Sequence, residues 1–391
     1  MVNLETADNA LKSFYLYAIT EQLNDKVNPF LAQIQRCTSD VWGKDVRKAV
    51  KIGINGGIGA GTETGTLPTP SGNEYVQFVA PLKNLYGTIE ISDKAIRASK
   101  NNEGAFVNLL NEEMQSLVNS ASFNFGRMLF GDGTGKLGQV ISLDEAGIVT
   151  MNSVKNIIEG MVLTFYNLSG SKITLASNRR VVSVDRANKT ITLAGSPLSM
   201  TQLPAGSSAY IQSSKDYEIT GLAALFDETL PLYGVDRAQY GMLTPFKKTD
   251  VGEISEEEIQ EAIDAIEENS GSKVNFIVCS WGVRRALAKY FKKYMVAMPT
   301  TEFDGGVKAL SFNGIPVVAD RFCPDGTMYL LNTNDFKLHQ LCDWQWLEGD
   351  DGKVLKQKAD KPVYTATLVK YAELMCERPN GQGMLSGIKE E

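Results

Sequence analysis

One histidine, His339, serves the whole chain of 391 residues. Any Ser-His-Asp or Cys-His relay would have to use it. Its setting, Phe336-Lys337-Leu338-His339-Gln340-Leu341, alternates as a strand does. Phe336, Leu338 and Gln340 fall on one face, and His339 falls on the other beside Lys337 and Leu341. That setting suits a structural imidazole. The five cysteines, Cys37, Cys279, Cys323, Cys342 and Cys376, contain no CxxC pair. Spacing therefore offers no zinc site and no disulfide framework. Reduced thiols are expected, several packed as small hydrophobes. No catalytic group, cofactor or metal is expected.

Three further stretches imitate chemistry. Gly131 to Leu137 (GDGTGKL) suggests a phosphate loop, but Phe130 stands where the first glycine of that motif belongs and Leu137 where its Ser or Thr would hold magnesium. It also follows a helix rather than a strand, so it reads as a helix-ending turn. The glycines between Gly53 and Gly65 fit no GxGxxG register: from Gly57 the last position is Thr62, and from Gly59 it is Thr64. Asp350 and Asp351 are adjacent, where a calcium loop alternates its acids. A solvated hairpin accounts for them.

Charge is more informative. Between Asp250 and Glu268 lie nine acids and no Lys or Arg; between Lys273 and Lys293 lie six bases and no acid. These are either two solvated helix faces or complementary faces that meet between subunits. The second reading marks Glu257, Glu261, Arg285 and Lys289 as interface residues. The chain as a whole is acidic, with 39 Lys and Arg against 46 Asp and Glu, which disfavours a dedicated nucleic-acid binder. No basic start followed by an apolar run marks a signal peptide, and no run of about 18 apolar residues would span a membrane.

The elements that carry these residues can be read in order. Residues 1–45 form an arm with helically spaced anchors, Leu11, Phe14, Tyr15 and Ala18, broken at Asn28-Pro29. Residues 46–95 read as a long two-stranded excursion: a strand over 46–54, a mobile glycine-rich tip and an extended return from Glu74 to Ser92. Such a hairpin cannot bury its own faces and needs a surface, which a neighbouring subunit could supply. The clearest helix covers 102–130, with Leu110, Met114, Leu117, Ala121, Phe125 and Met128 on one stripe and Asn101 or Asn102 as cap. Its segment, 96–137, is followed by an all-β texture over 138–215, with strands expected at 161–166, 172–176, 181–185, 190–194 and 209–212. This module reads as a small barrel, apparently inserted because α+β texture resumes after it. Residues 216–345 contain a helix opening on the capping box Ser255-Glu256-Glu257-Glu258 and ending at Gly271, a buried strand over 274–279 and a helix over 281–294. Residues 346–391 are β-rich, with strands at 354–357 and 364–377. The fold class is α+β.

Several segments together resemble the major capsid protein family of tailed bacteriophages. They are NEEMQSLVNSASFNFGRMLFGDGTGKL (111–137), EITGLAALFDETLPLYGVDRAQYGMLTP (218–245), FNGIPVVADRFCPDGTMYLLN (312–332) and VYTATLVKYAELMCERPNGQGMLSGI (363–388). The resemblance rests on order: arm, extended loop, spine helix, central domain, returning strand. It implies a peripheral domain with the spine helix and terminal strands, a central α/β axial domain within 216–345, and subunits arranged as hexamers and pentamers of an icosahedral shell. It also implies a separate scaffolding protein, a portal protein, decoration proteins in some members, and double-stranded DNA enclosed without sequence-specific binding, in a virion assembled in the host cytoplasm. Lys48 and Lys51 lie in the extended loop and join the expected interface residues, though no motif supplies a crosslinking partner. The same fold also serves encapsulin-like nanocompartments, which need a cargo-docking site that the sequence does not reveal. An enzyme using paired carboxylates is a third reading, disfavoured because the acids cluster on one helix.

Overall fold

A computed structural model describes residues 28–94, 103–294, 300–303, 307–349 and 352–391. The expected anchors Leu11 to Ala18, the cap at Asn101 or Asn102 and the Asp350-Asp351 turn lie outside them. The chain forms two compact units, one built from the segments up to Gly126 and from Ala224 onward, the other from Arg127–Ala223.

The first unit begins with a helical turn, Pro29–Ala32, then β1 (Gln35–Cys37), β2 (Val41–Trp42), β3 (Asp45–Ile52), β4 (Glu74–Pro81), β5 (Lys83–Ser92) and helix α1 (Glu103–Leu129). β3 and β4 pair antiparallel from Asp45 opposite Pro81 to Ile52 opposite Glu74. The extended return read as one piece from Glu74 to Ser92 is two strands. After Pro81 and Leu82 the chain leaves this ladder, and β5 pairs with a C-terminal strand instead. Along α1, Met114, Ala121, Phe125 and Met128 of the expected stripe are buried, while Leu117 is half-buried and its neighbour Val118 is buried in its place.

The second unit is a closed barrel. Its strands are β6 (Lys136–Leu143), β7 (Ile148–Met151), β8 (Val162–Tyr166), β9 (Arg179–Asp185), β10 (Thr190–Leu193) and β11 (Ser208–Ile211), joined in the order β10-β7-β6-β11-β8-β9. Val140, Val149, Met151, Leu163, Phe165 and Ile191 fill it. Closure leaves no open sheet edge. The strand expected at 172–176 is instead a loop with a helical turn at Thr174–Ala176. There the Ala176 N–H and the Ser177 hydroxyl both bond back to the Ile173 carbonyl, at 3.1 and 2.7 Å, so local bonds replace a ladder. At the neck of this unit the Arg127 guanidinium grips the Glu218 carboxylate with two bonds of 2.8 and 2.5 Å, both side chains buried. Two parallel bonds satisfy both charges where water is excluded.

The chain then returns to the first unit. It forms β12 (Phe246–Lys248), α2 (Glu256–Ser270), β13 (Phe276–Cys279), α3 (Trp281–Tyr294), β14 (Thr300–Phe303), β15 (Val307–Phe312), β16 (Ile315–Ala319), β17 (Met328–Leu331), β18 (Phe336–Trp346), β19 (Lys356–Gln357), β20 (Val363–Cys376) and β21 (Gly383–Leu385). A mixed sheet runs β12-β21-β17-β13-β16-β15-β14. α2 and α3 share one core with it, through Ile259, Ala262, Ile266, Val283, Leu287 and Phe291. The Ser255 side chain accepts the Glu258 N–H at 3.3 Å, and Gly271 ends α2 at φ 64°, a conformation that favours glycine. The expected span 216–345 crosses a sheet boundary: its last part, β18, belongs to another sheet, while β21 from the C-terminal segment joins this one.

That other sheet is centred on β20. β18 pairs with one side of β20, with β1 parallel on the outer edge of β18, and β5 runs along the other side from Lys83 opposite Ala372 to Ser92 opposite Val363. α1 lies against it, with the Phe125 ring edge-on to Trp344 at 6.4 Å. The strand expected at 354–357 shortens to Lys356–Gln357. Among the described residues no helix is long and apolar enough to cross a membrane.

Gly126 shows how tightly α1 is seated. A Cβ there would overlap the Asn28 amide and the Phe322 ring. Alanine is intrinsically better in a helix by about 1 kcal/mol, but overpacking costs about 1–3 kcal/mol. Gly126→Ala should therefore lower unfolding stability in urea by up to about 2 kcal/mol. An unchanged or raised midpoint would show that the contact has slack.

Candidate assembly surface

The β3–β4 hairpin has a seated root and an unsupported tip. At the root Val46, Phe78 and Ala80 are buried. Phe78 packs on Tyr233 at 5.4 Å, and the Val79 N–H bonds to the Tyr233 carbonyl at 2.9 Å. The Tyr233 hydroxyl accepts the Cys376 N–H at 3.0 Å and donates to the Leu374 carbonyl at 3.2 Å, which ties the root to β20. Burial, followed by the adjacent Cys376, holds this phenol well above its usual pKa. The surface that the excursion is expected to need is thus supplied, at the root, by its own chain.

Beyond Ile52 the expectation applies without that support. The limbs of the tip lie side by side: a Cβ at Gly59 would sit 3.0 Å from the Pro68 side chain, which explains a glycine there. A turn closes them through the Gly65 N–H and the Thr62 carbonyl at 3.0 Å. Ile54, Ile58 and Leu67 are 86, 85 and 90% exposed. Three large apolar side chains so fully in water mark a binding surface more than a core.

The six residues expected at an interface divide in two. Glu261 is bound within the chain to Lys248 at 2.8 Å, and Glu258 holds the same ammonium at 2.7 Å. Lys289 pairs with Glu391 at 2.6 Å, and the Arg285 guanidinium bonds to the Glu391 carbonyl. Lys48 is held between Asp40 at 3.4 Å and Glu377 at 3.1 Å. Glu257 and Lys51 are exposed. Lys248 and Glu391 thus take up part of the charge of α2 and α3 within the chain itself.

The sequence reading missed a buried cation. Lys370 on β20 is buried, lies 5.2 Å from the Phe125 ring, and donates to Gln340 Oε1 at 2.9 Å and Asp343 Oδ1 at 2.5 Å. Asp343 also accepts from Arg36 at 3.1 Å. Burial lowers the Lys370 pKa against the pull of Asp343. Burial raises that of Asp343, but Lys370, the Trp344 N–H and Arg36 outweigh it and hold the carboxyl below its usual range. In sequence the only signal was a lysine interrupting an apolar β run.

No protein-family model and no curated protein matches the sequence. Solved structures do. The fold superposes on a chain of the cyanophage A-1(L) capsid asymmetric unit with a TM-score of 0.57, over 93% of each chain and at 11% identity. The fold is that of a tailed-phage capsid protein. A structure of mycobacterium phage Adephagia matches at a TM-score of 0.48 and 10% identity, over 94% of this chain and 91% of that one. A structure of the holo-SrpI encapsulin complex from Synechococcus elongatus PCC 7942 matches at a TM-score of 0.31 and 14% identity, over 39% of this chain and 57% of that one.

The buried ion pair gives a pH test. A carboxyl held below its ordinary pKa adds stability above about pH 4, and that stability is lost as pH falls through its lowered value. Asp343→Asn should cost about 2–3 kcal/mol at neutral pH, less than a fully buried pair because part of Asp343 meets water. The gap from the unsubstituted protein should close in acid, where both carry a neutral side chain. A gap constant from pH 7 to pH 3 would mean that Asp343 does not act through its charge.

Proposed function

We propose that this chain is the major capsid protein of a tailed phage, assembling as hexamers and pentamers into an icosahedral shell around double-stranded DNA. The observation that carries the proposal is the hairpin tip: Ile54, Ile58 and Leu67 stand in water on an extension whose root is rigidly tied to β20. A neighbouring copy would bury them, each contributing about 1.5–3 kcal/mol when fully covered, and symmetry would repeat that contact around each ring. The full-length likeness to a cyanophage capsid chain supports the same reading.

In this proposal α1 with the β5-β20-β18 sheet is the peripheral domain, the seven-stranded sheet with α2 and α3 is the axial domain, and the barrel is an insert. Assembly needs no catalytic step. A separate scaffolding protein and a portal are proposed partners, with decoration proteins as further ones. The DNA is enclosed without sequence-specific contacts. Glu257 and Lys51, whose side chains are exposed, are the charged positions proposed at subunit boundaries. No particular feature favours the nanocompartment, since no cargo-docking segment is identified.

The test is expression of the chain with its neighbouring gene products, followed by negative-stain electron microscopy. Closed shells are expected. The triple variant Ile54→Asp, Ile58→Asp, Leu67→Asp should give folded subunits with an unchanged thermal midpoint and no shells. Shells at normal yield from the variant would remove the tip from the mechanism. Soluble monomers alone, under all conditions, would overturn the proposal itself.

A further inference from the structure

The single histidine does not sit as an ordinary core residue. His339 is wholly buried, and neither ring nitrogen has a hydrogen-bond partner among the described residues. A neutral imidazole carries one donor and one acceptor, and burying both unmatched is costly. Its surroundings supply a reason. β1 pairs parallel with β18 in a register that sets Cys37 directly beside His339, and side chains opposite each other on paired strands share a face. The turn after β1 then brings Asp40 to the same place. A donor atom from each of Cys37, Asp40 and His339 lies within 4.8 Å of the others.

We infer that Cys37, Asp40 and His339 bind one divalent transition-metal ion, of the class to which zinc belongs. The donor set is one thiolate sulfur, one imidazole nitrogen and one carboxylate oxygen. That mixture suits zinc, or cobalt as its spectroscopic stand-in, and not magnesium or calcium, which take oxygen ligands. Tetrahedral coordination requires the donors to close to roughly 3.5 Å apart. The short turn Thr38–Asp40 can supply this movement, since Cys37 Sγ has only a weak 3.5 Å contact with Ser39 Oγ. Lys48 touches Asp40 at 3.4 Å but keeps Glu377 at 3.1 Å as a second partner, so a metal can take the Asp40 carboxylate without stranding the ammonium. Binding releases the Cys37 thiol proton to solvent, and thiolate and carboxylate together balance the ion's two charges. Three protein donors leave a fourth position for water. The ion would clasp the end of the arm onto β18, and so onto the sheet centred on β20.

The test uses the full-length protein, stripped with a chelator and titrated with Co²⁺ alone. Expected are one Co²⁺ per chain and a near-ultraviolet thiolate-to-cobalt charge-transfer band that Zn²⁺ displaces. The band should vanish in Cys37→Ser and persist in Cys342→Ser, a second half-buried cysteine outside the cluster. Asp40→Asn, in a turn where misfolding is no concern, should weaken Co²⁺ binding by roughly tenfold or more. Zn²⁺ should raise the thermal midpoint of the unsubstituted protein and of Cys342→Ser, but not of Cys37→Ser. The inference is overturned if the unsubstituted protein shows no thiolate band, if the band survives Cys37→Ser or is lost in Cys342→Ser, or if Asp40→Asn binds Co²⁺ as tightly as the parent.

Discussion

The strand β20 is the constraint on which the first unit depends. It is paired on both sides, by β5 along ten positions and by β18 through two register shifts. A strand held on both edges cannot slip by one residue without turning every side chain to the wrong face. Its register therefore fixes where Lys370 points. That ammonium sits beside Phe125 of α1 and Trp344, where Gln340 and Asp343 on β18 satisfy it. Sheet register, the seat of α1 and the buried ion pair are one arrangement. The hairpin root hangs from it too, because Tyr233 bonds to the β20 backbone on one side and the β4 backbone on the other.

What was legible in the sequence is what local chemistry decides. The stripe on α1, the Ser255 cap, the Gly271 stop and the limits of α3 each depend on residues within a few turns, and the structure places them where period and capping predict. What was illegible depends on partners far along the chain. Glu74 to Ser92 reads as one extended piece, but the break at Leu82 is a change of partner, which local sequence does not record. β21 is a strand only because β12 and β17 flank it. Lys172 to Ala176 carries β-favouring residues, yet after Ile173, whose N–H still reaches the Phe165 carbonyl on β8, the chain bonds back on itself in a helical turn.

The candidate surface follows the same division. Runs of like charge on α2 and α3 are visible in the sequence, but Lys248 and Glu391, which neutralise part of them, come from separate elements. The cysteine, aspartate and histidine brought together by β1 and β18 come from opposite ends of the chain, so no spacing rule joins them. The exposed tip was legible in outline because an isolated two-stranded extension has only two faces and no third layer. Only the structure could divide it into a root that its own chain covers and a tip that it leaves in water.

The second unit shows how a chain can hold an extra domain without disturbing the first. It has its own closed sheet and its own apolar filling. Its two ends are fastened to each other: Arg127 grips Glu218, and Gly221 lies so close to the carbonyls of Met128, Leu129 and Gly131 that any side chain there would collide. A domain whose ends meet adds little strain to the chain that carries it, because entry and exit lie at one place. The pair also makes the neck specific. Removing either charge would leave the other buried without a partner, a loss of about 3–5 kcal/mol, so the clasp binds the last turn of α1 to the segment that leads back. The barrel surface, with Ile141, Leu168, Leu175 and Val182 in water, takes no part in this neck or in the barrel core, so the forces that hold the unit together lie in those two places.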